Sequence, residues 1–160
     1  MEKPIKPLIE IVKLNSRLFL NCFDGVDDAV AVRRMDEKVN NMAFVAVHLA
    51  DARVHLVNYL GKPLRNPFEE FTDVRSIDEV KTFPSVEILR TEWKKASSEL
   101  EGVLLQCSSA TLSEPSVENF PLGDKTKLGV LAFILQHESY HIGQLALLRK
   151  HFGLAAMKYE

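Results

Sequence analysis

The sequence predicts an all-α protein, a four-helix bundle, on three observations. Four long segments repeat apolar residues at intervals of three and four. No segment alternates convincingly with a period of two, as a half-buried strand would. Between the segments lie stretches rich in Gly, Pro and Ser, one of them long enough to cross the molecule.

The first segment, residues 5–23, places Leu8, Ile11, Val12, Leu14, Leu18, Phe19 and Cys22 at helical spacing, with Pro7 tolerable in a first turn and Asp24-Gly25 ending it. Residues 27–35 read as a short helix or a capped turn. The second long helix is expected from Asp36 to Leu60, capped by Asp36 or Asn40 and stopped by Gly61 and Pro63. Residues 61–75 carry two prolines, a glycine and no period. Extended, they reach ~45 Å, longer than a 24-residue helix at ~1.5 Å per residue. The helices on either side therefore need not be antiparallel neighbours. Ser76-Ile77-Asp78-Glu79 resembles a capping box, and Ser85 is a second start signal. The third helix spans Ser85 to Cys107, with Val86, Leu89, Trp93, Ala96, Leu100, Val103 and Leu104 in one stripe and charges on the outer face. Residues 108–124 read as a loop with a short extended piece at 117–122. Asp124 or Thr126 caps the fourth helix, which ends at Gly153.

The chain has 160 residues, 46% apolar and 26% charged, with a formal net charge of −2. That fits one soluble domain spanning residues 1–160. Acids and bases are interspersed, so neither a nucleic-acid stripe nor a polybasic membrane arm is present. No apolar run reaches the ~18 residues of a membrane span, and Met1-Glu2-Lys3-Pro4 opens no apolar leader. Cys22 and Cys107 sit in apolar patterns as buried thiols outside any disulfide, which suits a reducing compartment and a cytoplasmic location.

His137 and His141 are four residues apart in the fourth helix. That places two imidazoles on one face, one turn apart, able to grip one metal ion. A third imidazole from another helix would complete a three-ligand site with an open position. His48 and His55 share a face of the second helix but lie ~10 Å apart along it, so one ion cannot take both. His48 sits near mid-height, as His137 does, and is the expected third ligand. His151 reads as a cation at a helix C-terminus. Asp51, one turn after His48, is either a supporting residue or a surface charge. Gln144 faces the same side as the histidine pair. Tyr140 either walls the site or packs in the core.

The run Asn41-Met42-Ala43-Phe44-Val45-Ala46-Val47-His48-Leu49-Ala50-Asp51, the helix end Leu60-Gly61, and His137-Glu138-Ser139-Tyr140-His141-Ile142-Gly143-Gln144-Leu145 together resemble the DinB/YfiT-like metalloenzyme superfamily. The resemblance covers nearly the whole chain. It implies an up-down-down-up bundle with the long crossover between helices two and three. It also implies a divalent metal, nickel or zinc, on His48, His137 and His141, and a homodimer. Characterised members include transferases and isomerases that use low-molecular-weight thiols.

His137-Glu138-Ser139-Tyr140-His141 also spells H-E-x-x-H, the zinc-protease helix. The metzincin extension fails at Gln144 and Leu147, too few residues follow for a downstream ligand helix, and His48 would be left idle. Glu138 remains the candidate catalytic residue, as a base toward metal-bound water, with an orienting role or a solvent-facing charge as alternatives. Three neutral imidazoles leave a dication uncompensated, able to acidify a bound water or thiol. Three functions compete: a metal-dependent S-transferase or hydrolase acting on a small molecule, a non-catalytic metal-binding or stress-related bundle, and a helical interaction protein with structural histidines.

Overall fold

A computed structural model describes residues 5–160; the four opening residues lie outside it. The described residues are all-helical: α1 (Lys6–Cys22), α2 (Asp28–Ala31), α3 (Met42–Tyr59), α4 (Val86–Gln106), α5 (Ser109–Leu112) and α6 (Lys127–His151). None of these helices is long and apolar enough to cross a membrane.

Local chemistry sets the boundaries. Side-chain oxygens cap five of the helices: Asp27 accepts from the Val30 N–H, Asn41 from Phe44, Ser85 from Ile88, Ser108 from Thr111 and Thr126 from Gly129. At the other ends, Gly61 and Gly153 take positive φ, 95° and 88°. The Lys62 N–H then reaches the Val57 carbonyl and the Leu154 N–H the Arg149 carbonyl, closing α3 and α6 with six-residue turns. The second long helix starts later than its apolar pattern suggests. Asn41, not Asp36 or Asn40, is the cap, because its amide also donates to the Val32 carbonyl and ties α3 to α2. Asp36 instead accepts from the Lys38 N–H in a turn. The Ser76 capping box forms, over a single 3-10 turn at Ile77–Glu79. Residues 108–124 contain α5, and Pro115 forms an isolated bridge with Thr126, rather than an extended piece at 117–122.

α1 packs against α4 and α6, and α3 packs against the same two. Trp93 Nε1 donates to the Ser16 carbonyl and Arg90 to the Leu20 carbonyl, so α1 and α4 meet in opposite order. Asn15 meets Glu138 while Arg149 meets Asn21, so α1 and α6 run together.

The core has two apolar clusters. One centres on Phe19, Met42, Leu49, Trp93 and Ile142. The other gathers Ile5, Leu56, Leu100 and Leu131. Between them lies a buried polar layer drawn from all four long helices: Asn15, Arg53, Ser97 and Glu138. Arg53 and Glu138 are both 0% exposed. Arg53 donates to Glu138 from Nε at 2.7 Å and from Nη2 at 3.0 Å, and to the Ser16 and Ser97 hydroxyls from Nη1. Its guanidinium lies 3.7 Å from the centre of the Trp93 ring. Asn15 adds an amide donor to Glu138 Oε2 at 3.2 Å. Such a bidentate pair satisfies two charges that would otherwise be costly to bury.

Candidate metal centre

The histidines stand on the α3–α6 seam. Arg53 and Glu138 fix the register there, five residues after His48 and one after His137. His137 and His141 rise from successive turns of α6, and His48 faces them from α3. His48 Nε2 lies 2.9 Å from His137 Nε2, and His141 Nε2 lies 3.1 Å from it. One ligand atom from each residue falls within 4.8 Å of the others. The rings are mutually edge-on, at 79° to 89°, so the Nε2 atoms converge instead of the ring faces stacking. Two nitrogens ~2.0–2.1 Å from one ion, at angles between octahedral and tetrahedral, stand ~2.9–3.4 Å apart. The His48–His137 and His137–His141 separations fall in that range.

The donor chemistry also fits a cation. His141 Nδ1 is 2.6 Å from Gln144 Oε1. A carbonyl oxygen only accepts, so Nδ1 carries the proton, and in that neutral tautomer the lone pair of His141 lies at Nε2. His137 Nε2 must then face both His141 Nε2 and His48 Nε2. A neutral nitrogen holds one proton at most, and one proton cannot point along both contacts, so at most one of the two is a well-directed hydrogen bond. A shared cation removes that conflict for all three nitrogens. Burial and the neighbouring His141 and His137 rings push the His48 pKa down to about 4, and burial with His141 also lowers that of His137. His48 is therefore neutral well below pH 7, and the shift at His137 also favours its neutral ring, the form a metal needs.

Gln144, expected on the histidine face, fixes the His141 tautomer, and its amide nitrogen reaches the Tyr140 hydroxyl at 3.4 Å. Tyr140 is not a core residue. It is 58% exposed and sets its ring edge-on to His141, 5.1 Å away. Asp51 is no surface charge either. It is half-buried, its pKa raised by burial, and it accepts from Asn66 at 2.6 Å, pinning the 61–75 connection to α3 one turn beyond His48. A cavity of about 100 Å³ borders His48 and Asp51 beneath Phe71 and Thr72 of that connection. His55 stands apart, paired with Glu118 at 2.9 Å. His151 sits in the last turn of α6, edge-on to Phe152.

Glu138 does not face solvent. Both its oxygens are taken by Arg53, and one also by Asn15. Sequence reasoning missed Arg53. Its signal is a lone Arg on the otherwise apolar buried face of α3, between Leu49 and Leu56.

The fold and site define a class: helical proteins presenting two imidazoles from one helix and a third from another at a partly open seam. This chain belongs to the DinB superfamily, whose family model matches residues 12–145. The matched span contains His48, His137, His141 and the Arg53–Glu138 pair. No curated protein matches the chain.

Proposed function

We propose that His48, His137 and His141 hold one divalent metal ion and that the protein is a metal-dependent enzyme acting on a small molecule, as an S-transferase with a low-molecular-weight thiol or as a hydrolase. The observation that carries this reading is the convergence of three Nε2 atoms, one with its lone pair fixed by Gln144. Nickel or zinc suits three imidazoles. When bound, the ion would supply Lewis acidity that lowers the pKa of a water or thiol.

The chain's own residues do the rest. Gln144 holds the Nδ1 proton of His141. The Arg53–Glu138 pair locks α3 against α6 and so sets the spacing of His48 and His137. We read Glu138 as this anchor, since neither of its oxygens is spare. Asp51 and Asn66 hold the crossover beside His48 and leave a cavity at the site. The helix contacts support an up-down-down-up four-helix bundle with residues 61–75 as the crossover. Buried Cys22 and Cys107 make a cosubstrate the source of any reactive thiol, and suit a cytoplasmic setting. A homodimer accords with the family.

Metal-loaded protein incubated with thiols and an electrophile such as monochlorobimane tests turnover. Conjugation above the rate of His141→Ala supports an S-transferase. Metal binding without conjugation or ester hydrolysis favours the second reading, a non-catalytic metal-binding protein.

A further inference from the structure

A second cavity, about 300 Å³, shares no lining residue with the one beside His48. It lies between the turn before α3 and the last turns of α6. Two residues tie it to the site. Gln144 lines it and also holds His141 Nδ1 at 2.6 Å. Val45 lines it one turn before His48, on the same face of α3. Its apolar wall is Met35, Val39, Val45, Leu147 and Leu148, and its polar groups are Lys38, Asn40 and Gln144. A mostly apolar hollow with a few polar groups is the form of a small-molecule site.

The charges select the ligand. Lys38 is the one charged residue of the lining, and no carboxylate lines the cavity. Asp36 and Glu37 precede Lys38 but stay outside the lining, and the Asp36 carboxylate is turned to the Lys38 backbone N–H. Asp51 is held by Asn66. The first turn of α3, which supplies Val45, adds the positive end of a helix dipole. The one charged side chain of the lining therefore favours an anion.

We propose that this cavity binds a small carboxylate with a short hydrocarbon body, and that such a compound is the substrate class of the metal site. The carboxylate pairs with Lys38 and Asn40. The hydrocarbon lies along Val39, Val45 and Leu148. The far end reaches Gln144 and the histidines. Only this last step, from ligand to substrate, rests on the metal-site reading.

Hexanoate is the probe, with hexanol and hexylammonium as neutral and cationic counterparts, titrated by amide NMR into chelator-treated protein so that no metal can hold the carboxylate. Hexanoate is expected to shift Val39, Val45 and the Gln144 side chain, with hexanol and hexylammonium at least about fivefold weaker. Lys38→Gln should weaken hexanoate about fivefold, and Lys38→Arg should restore it. Hexanol matching hexanoate, Lys38→Gln within about twofold of wild type, or shifts confined to another surface would each overturn the proposal. Metal content of the same preparations before chelation separates the two readings. Hexanoate held through Lys38 by a chain that takes up no metal keeps the cavity and removes the enzyme reading. Metal uptake without hexanoate binding does the reverse.

Discussion

Replacing Glu138 by leucine leaves the Arg53 guanidinium in the core with no counter-charge. Arg53 is 0% exposed, so its charge cannot turn to water without opening the bundle. The Ser16 and Ser97 hydroxyls and the Val12 carbonyl would remain as neutral acceptors. Removing one partner of such a pair costs about 3–5 kcal/mol, and for a chain of this size that lowers Tm by roughly 6–20 °C. The double variant Arg53→Met with Glu138→Leu should recover most of the loss, because few groups are orphaned. Asn15 still reaches the Leu135 carbonyl, Ser16 donates to Val12, and Ser97 donates to Trp93. Urea unfolding of metal-free wild type, both single variants and the double variant measures the cycle. A loss under about 1 kcal/mol for Glu138→Leu, or a double variant as unstable as the two singles summed, would refute the buried-pair account.

Gln144→Ala removes the acceptor of the His141 Nδ1 proton, and metal affinity should fall about 10–100-fold while stability changes little, as competition with a chromogenic chelator would read. In metal-free protein the folded His48 resists protonation until about pH 4, whereas the unfolded ring charges near 6.5. The unfolded state therefore binds more protons across that window, and stability falls as pH drops through it. His48→Ala should show a smaller drop in urea midpoint between pH 7 and pH 5 than wild type. Burial raises the Cys22 pKa to about 12, so at pH 8 its thiolate is on the order of a thousandfold scarcer than that of an ordinary cysteine. Iodoacetamide should label Cys22 in denaturant and leave it unmodified in native protein, with peptide mapping as the readout.

The long helices were legible because burial imposes a period that side-chain type reveals directly. Trp93 and Leu100 mark the inner stripe of α4, and Ser85 and Thr126 announce helix starts with a short polar oxygen. The start of α3 was less legible. Asp36, Asn40 and Asn41 are all competent caps, and the choice fell to Asn41 through a contact nine residues away with Val32. α5 is a single turn, too short to show a period. At the site, the i,i+4 histidines and Gln144 follow from helix geometry alone. The roles of Glu138 and Asp51 do not. Each is decided by one distant partner, Arg53 for Glu138 and Asn66 for Asp51, and a carboxylate in sequence carries no mark of which cation or amide will meet it.

The most direct test of the account is the metal stoichiometry of purified protein after zinc or nickel loading and desalting, measured by inductively coupled plasma mass spectrometry with folding checked by circular dichroism. The account predicts one ion per chain in wild type, and folded but metal-depleted His48→Ala, His137→Ala and His141→Ala, with His55→Ala unchanged. Full metal content retained by both His48→Ala and His141→Ala would contradict the three-histidine centre.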